Sequence, residues 1–206
     1  MRVYKFLPAN FALKSLYERR LKISTLSDLN DPFDFSPFAT PNAGQRERMR
    51  FAINGMMANR GILCFSADWN DPVVWAHYAD KHYGICLGFE LPDIACKAVK
   101  YVAEKLPFPT QPTKQTAEDW LFVKFSNWQY EHEIRAAASL DQPEESLYYS
   151  DFNERLRLVE VILGTRCTQP KAAIERALSE LRRKIIVRKA RPDHEKFQIV
   201  EDTKFK

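Results

Sequence analysis

Ile62-Leu63-Cys64-Phe65-Ser66 and Ile85-Cys86-Leu87-Gly88-Phe89 are two short, nearly uninterrupted apolar runs. Runs of this length without polar alternation suit strands covered on both faces. Between them, Asp71 stands where a helix N-cap belongs and Pro72 suits the first turn. Val74, Trp75, Tyr78 and Ala79 then recur on one helical face. Two central strands joined through a short helix make the seed of the fold.

Working outward, Val3 to Leu7 reads as a strand stopped by Pro8. Asn10 can cap a helix running to Arg20, with Leu13, Leu16 and Tyr17 on one face. Leu21 to Thr25 alternates like a half-buried strand, and Ser27 to Pro41 is a long loop rich in Asp, Asn, Ser and Pro. Its Leu29-Asn-Asp-Pro-Phe-Asp34 centre carries aromatic surface that solvent would waste, so it should fold back on the domain. Met49, Ala52, Ile53, Met56 and Met57 predict an amphipathic helix ending at Gly61. Further strands are expected at Ala98 to Val102, Ile134 to Ser139 and Leu158 to Leu163, with Pro107, Pro109 and Pro112 marking the loop between the first two. Pro170 to Lys184 predicts a helix with Ile174, Ala177, Leu178 and Leu181 in one stripe. Strands at Ile185 to Lys189 and Phe197 to Val200 close the chain. No repeat, no second-domain linker and no glycine fingerprint of a doubly wound fold is present. The expectation is one α+β domain over residues 1–206, with a mainly antiparallel or mixed central sheet flanked by helices.

The totals agree with a folded domain. The chain has 206 residues, 45% of them hydrophobic and 13% aromatic, enough to bury a core. Its 31 basic and 27 acidic residues permit a nucleic-acid partner without pointing to one. The basic runs Arg46 to Arg50 and Arg182 to Arg191 are broken by apolar residues and read as solvated faces. Cys64, Cys86, Cys96 and Cys167 form no C-x-x-C pair, which predicts reduced thiols and a cytoplasmic setting. No apolar run approaches the roughly 20 residues of a membrane span, so no membrane partner is expected. Nothing in the sequence sets the oligomeric state.

Two stretches concentrate chemistry. In the first, Trp128-Gln-Tyr130-Glu131-His-Glu133-Ile-Arg135, a strand's two-residue period would place Glu131, Glu133 and Arg135 on one face and Tyr130, His132 and Ile134 on the other. Paired carboxylates raise one another's pKa while the guanidinium lowers it, a combination that can tune a general base or stabilise charge. The alternative is a solvated face with surface ion pairs. In the second, Trp75-Ala-His77-Tyr78-Ala-Asp80-Lys-His82-Tyr-Gly84, hydrogen-bonding groups sit beside an aromatic wall that could line a pocket. His77 and Asp80, three apart on a helix, would be neighbours. No histidine or cysteine stands at helical spacing from His77, so no metal is expected. Cys64 or Ser66 with His77 lacks the flanking motif of a nucleophile elbow.

Tyr4-Lys-Phe, Leu29-Asn-Asp-Pro-Phe-Asp34, Cys64-Phe-Ser66, Trp75-x-His-Tyr-x-Asp-x-His-x-Gly84, Trp128-x-Tyr-Glu-x-Glu-x-Arg135 and Val161-Ile-Leu-Gly164 occur in the order found in a bacterial family called domain of unknown function 2971. The chain resembles that family over nearly its whole length. More distantly it resembles ADP-ribosyltransferases, in the succession of an early strand with a polar residue (Tyr4 or Lys5), a middle strand with Ser66, and Glu131 with Glu133. That resemblance implies an NAD-using enzyme with a role in defence or stress, acting on a small-molecule or macromolecular acceptor. Glu133 would hold the nicotinamide ribose and stabilise the positive charge that forms as nicotinamide leaves, and Glu131 would help activate the acceptor. Catalytic expectations therefore fall on Glu133, Glu131 and His77. Ligand-binding expectations fall on Tyr4, Lys5, Asn30, Ser66, Trp75, Tyr78, Asp80, Tyr130 and Arg135. The chain departs from the transferase pattern in having Arg2 as its only early-strand arginine and Cys64-Phe-Ser66 in place of Ser-Thr-Ser. The competing expectation is a non-catalytic or nucleic-acid-directed binding module.

Overall fold

The computed structural model describes residues 1–109 and 119–205. In chain order its strands are β1 (Arg2–Leu7), β2 (Arg20–Ile23), β3 (Arg60–Ser66), β4 (Ile85–Glu90), β5 (Lys97–Ala98), β6 (Lys100–Val102), β7 (Val123–Phe125), β8 (Glu133–Ser139), β9 (Tyr148–Asp151), β10 (Arg157–Leu163), β11 (Ile186–Pro192) and β12 (Ile199–Glu201). The α-helices among the described residues are α1 (Ala9–Glu18), α2 (Ala43–Met57), α3 (Pro72–Tyr78) and α4 (Lys171–Leu178). Eight strands form one sheet in the order β12-β11-β10-β4-β1-β3-β8-β5, antiparallel except for the β10–β11 pair. β2 with β9 and β6 with β7 make two small satellite ladders. The fold is α+β with a mixed, mostly antiparallel sheet, as the sequence predicts.

The two apolar runs become β3 and β4, separated in the sheet only by β1. Every residue of β4 from Ile85 to Phe89 is buried because both faces of the sheet are covered. On one face α1 and α4 pack Ala12, Leu16, Ile174, Ala177 and Leu178 against Val3, Phe65, Leu87, Phe89 and Ile134. On the other, α3 lays Val74 and Trp75 on Phe6, Cys86 and Ile162. Asp71 does cap α3, its carboxylate accepting from the Val73 and Val74 amides.

Several local expectations are corrected. Asn10 lies inside α1 after Pro8 at the cap position, and the helix stops at Arg19 in the left-handed region, so Arg20 begins β2 and Tyr17 faces solvent. Gly61 does not end α2; it sits in β3, where a Cβ would meet Ile23 Cγ2 at 2.4 Å and the Ser24 carbonyl at 2.7 Å. Residues 98–102 divide between β5 and β6, in different sheets, and the 170–184 helix breaks at Ser179 (φ 50°) into a 3-10 turn over Ser179–Arg183. Phe197 is fully exposed, and the last strand starts at Ile199. β7 and β9 had no counterpart in the sequence reading, and Pro112 lies outside the described residues.

Close approach makes glycine necessary at Gly84, where a Cβ would lie 2.2 Å from the Leu7 carbonyl oxygen and 2.8 Å from the Ala79 backbone. Gly55, in α2, has open space instead. In urea unfolding, Gly84→Ala is expected to lose roughly 1–3 kcal/mol through overpacking, and Gly55→Ala to gain up to about 1 kcal/mol through helix propensity. Equal and small effects at both positions would remove the close-approach argument.

Candidate functional site

The β1–β4 ladder has six paired positions, but β1 meets β3 at one, Tyr4 opposite Ser66. Beyond that pair the ladder gives out, and the Lys5 ammonium donates to the Cys64 carbonyl at 3.0 Å where a strand amide would otherwise serve. A cleft of ≈ 90 Å³ opens at this break. β1 and β3 form its floor, α3 one wall through Val74 and Tyr78, and the folded-back loop another through Leu29, Asn30 and Asp34. That loop is anchored by Phe35, which is fully buried.

Across the floor, Tyr4 faces Ser66 and Ser66 faces Glu133 in the ladders of three neighbouring strands. Directly opposed residues project to the same side of a sheet, so the three side chains form one transverse row. All three line the cleft, together with Glu131 and Lys124.

Glu131 reaches the cleft by a route other than strand alternation. Ser126–Glu131 is a 3-10 helix, and His132 (φ 43°) turns the chain into β8, so Glu131 is not a strand neighbour of Glu133. Lys124 joins them: its ammonium lies 2.6 Å from Glu131 Oε2 and 3.3 Å from Glu133 Oε2. Behind Glu133 stands Arg135, with no exposed surface. It donates to both Glu133 oxygens (Nε 2.8 Å, Nη2 2.9 Å), to Asp34 Oδ1 at 2.6 Å and to the Leu121 carbonyl at 2.7 Å. On the open side Tyr78 donates its hydroxyl hydrogen to Glu131 Oε1 and accepts from the Asn30 amide at 3.0 Å. The Ser66 hydroxyl donates to the Glu131 carbonyl at 2.6 Å, which holds the 3-10 helix against β3.

These contacts sort the carboxylates. Burial pushes Glu133 up, but the Arg135 guanidinium and the Lys124 ammonium outweigh it and hold the carboxyl below its ordinary value. For Glu131 and Asp34 burial prevails over the neighbouring cations, and both are raised. The cleft thus carries one carboxylate, Glu133, held as an anion and two, Glu131 and Asp34, that take a proton more readily. Burial and Glu160 push the Tyr4 phenol up to about 12, and burial with Glu133 pushes the Cys64 thiol up to about 12, which leaves it a poor nucleophile.

Of the residues singled out from sequence, the structure brings Tyr4, Lys5, Asn30, Ser66, Tyr78, Glu131 and Glu133 together. Arg135 supports from behind. Trp75 is a fully buried core residue whose indole N–H donates to the Trp69 carbonyl at 2.7 Å, so it binds the core and not the cleft. His77 is exposed and shares a 2.9 Å hydrogen bond with the hydroxyl of half-buried Tyr130, and neither residue lines the cleft. Asp80 is exposed in a left-handed turn with Lys81 and His82, and no His77–Asp80 hydrogen bond or ion pair forms among the described residues. α3 therefore contributes Tyr78 in the place expected of His77. Sequence reading missed Lys124 and Asp34 as site residues. A lone lysine between Val123 and Phe125 was the available signal for the first, and the quoted loop already contained the second. Among the described residues no group of three potential metal ligands forms, and no helix is long and apolar enough to cross a membrane.

Compared with models of known protein families, with curated proteins and with solved structures, the chain finds no match.

Removing the guanidinium while leaving the carboxylates buried should be costly. Arg135→Met is expected to lose roughly 3–5 kcal/mol in denaturant unfolding at pH 7. In the wild type Glu133 has a depressed folded pKa, so its stabilising contribution is present at neutral pH and fades as pH falls through that value. In the variant, Glu133 keeps only Lys124 and its folded value rises, while that of Asp34, already raised, rises further, which favours the fold at lower pH. The stability gap between variant and wild type should narrow from pH 7 to about pH 5; a constant gap would contradict the assignment of the cost to orphaned carboxylates.

Proposed function

We propose that the cleft at the β1–β3 break is the active site of an ADP-ribosyltransferase-like enzyme that uses NAD as substrate. The observation that carries this reading is the in-register row of Tyr4, Ser66 and Glu133 over three neighbouring strands, with Glu131 joined to it by Lys124. It unites, on one floor, the residues that the resemblance names from three separate stretches of sequence.

The donor set suits the nicotinamide-ribose end of NAD. Tyr4, Phe6 and Tyr78 offer ring surface, and Glu131 and Glu133 offer carboxylate. At ≈ 90 Å³ the cleft falls below the roughly 300–1,000 Å³ of pockets that enclose a drug-sized ligand, so only a ring-sized part of the substrate is enclosed and the rest lies toward the open side. NAD supplies an N-glycosidic bond whose cleavage leaves positive charge on the ribose. A carboxylate fixed where positive charge develops favours the transition state over the ground state.

Glu133 and Glu131 divide this work. Glu133 is fixed by Arg135 through both oxygens, so it contributes a permanent negative charge at the cleft floor. Glu131 has the raised pKa and meets Tyr78 at the mouth, so it is the group suited to exchange a proton with an acceptor. Tyr78 and Asn30 orient it from the open side.

Calorimetry and chromatography with NAD test the reading directly. The wild type should bind NAD one to one and release nicotinamide. Glu131→Gln, which keeps the shape of the side chain but takes away one of the two oxygens that accept from Tyr78 and Lys124, should lower release by about 10²–10³-fold and lower the thermal transition as well. Glu133→Gln should lower both release and stability. No binding and no nicotinamide release by the wild type, with several acceptors supplied, would defeat the proposal.

A further inference from the structure

Residues 171–191 contain eight basic residues and two acidic ones. With a formal net charge of +4 for the whole chain, the positive charge of the protein is concentrated in this segment and the remainder is slightly acidic. The structure gives part of the segment a common surface. α4 ends at Leu178, and the break at Ser179 folds the following 3-10 turn back, so that Arg176, Arg182 and Arg183 border one open hollow of ≈ 680 Å³. Glu175 and Glu180 also border it, and neither forms an ion pair with these arginines among the described residues. Lys184 follows directly and is likewise exposed without an acidic partner among them.

Basic residues at the end of a helix ordinarily serve its free carbonyls and its dipole. Here another residue does so: Arg19, from the end of α1, donates to the Ala177 carbonyl at 2.8 Å and the Leu178 carbonyl at 2.6 Å. Arg176 makes one long contact, 3.4 Å, to the Ala172 carbonyl, and no hydrogen bond to the side chain of Arg182 or Arg183 is formed among the described residues. Five arginines elsewhere, Arg2, Arg20, Arg135, Arg157 and Arg188, are ion-paired. The guanidiniums around the hollow are therefore surplus to the needs of the fold.

We propose that this hollow is a docking surface for the phosphate backbone of double-stranded nucleic acid, bound without sequence preference. Guanidiniums spaced along an open concavity suit successive phosphates. The hollow has no aromatic side chain on which an unpaired base could stack. The apolar stripe of α4, Ile174, Ala177 and Leu178, is buried in the core and has nothing to insert into a lipid surface. The surface lies with α4 on the opposite side of the sheet from α3 and the cleft, so it anchors a partner independently of the chemistry proposed there.

Fluorescence anisotropy with short mixed-sequence DNA and RNA duplexes tests the surface on the full chain. Four phosphate contacts predict an affinity that falls about 100-fold between 50 and 200 mM salt. Arg182→Ala/Arg183→Ala should weaken binding at least tenfold at the lower salt and flatten the log–log slope by about 2, with circular dichroism unchanged. Glu131→Gln should bind as the wild type does, which separates this result from any failure of the NAD reading. The exposed Arg155→Ala serves as a control that should change little. Absence of duplex binding at 50 mM salt, equal binding by the double variant, or binding to phosphatidylserine vesicles but not to duplex would each overturn the proposal.

Discussion

A guanidinium cannot remain charged inside a protein unless carboxylates and carbonyls replace the water it has lost, and Arg135 is fully buried in the middle of this one. Its partners come from three places: Glu133 on its own strand, Asp34 from the loop after β2, and the Leu121 carbonyl from the segment leading into β7. The loop carrying Asn30 must therefore fold over the sheet for the charge to be compensated, which is why a polar and proline-rich segment is packed where solvent would seem its natural place. Because Glu133 is then saturated by Arg135, the second buried cation, Lys124, turns mainly to Glu131. Tyr78 and Asn30 follow from there. The order of the cleft is a chain of compensations that starts at one arginine.

The cleft itself arises from a failure of pairing. An extended β1–β3 ladder would close the floor with backbone hydrogen bonds and leave the row of Tyr4, Ser66 and Glu133 on a flat surface. With one paired position the strands leave a gap, and the lysine at position 5 satisfies the Cys64 carbonyl, left without a ladder partner, without filling the gap. Backbone groups without ladder partners must find others when buried; here the substitute is a long, charged side chain at the edge of the gap. The same lysine adds a positive charge to a wall that otherwise presents three carboxylates to two cations.

Much of this was readable in the residues. The apolar runs at Ile62 and Ile85 mark β3 and β4, and Asp71-Pro72 marks the start of α3, because local physics decides both strand burial and capping. Glu131, Glu133 and Arg135 were recognisable as a charged group that a strand period might converge. The convergence is real but its mechanism differs, since a 3-10 helix and a left-handed His132 intervene and Lys124 makes the junction. No period in the sequence reveals that, for Lys124 becomes a site residue only through the pairing of β7 with β6. Trp75 and His77 were misplaced for a related reason. Helical spacing shows which residues share a face, and the rotation of α3 on the sheet decides which face meets the core; Trp75 fills it, Tyr78 overlooks the cleft and His77 faces outward to Tyr130.

The row through the cleft does not end at Tyr4. Tyr4 is paired with Gly88 in β4, and Gly88 with Glu160 in β10, so a second buried carboxylate stands on the same transverse line. A Cβ at position 88 would lie 2.4 Å from Glu160 Cγ. The glycine therefore lets Glu160 lie across β4 and accept the Tyr4 hydroxyl hydrogen at 3.3 Å. Arg2 and Arg188, each 3.1 Å from Glu160, compensate that charge as Arg135 and Lys124 compensate Glu133. Tyr4 and Ser66 thus lie between two buried ionic groups at the centre of an otherwise apolar sheet. A polar line of this kind costs less when every charge along it is paired from the side, and the pairing also determines which way the Tyr4 phenol points. Its hydrogen is directed toward Glu160 and its ring toward the cleft, so the surface that Tyr4 adds to the cleft is flat and apolar.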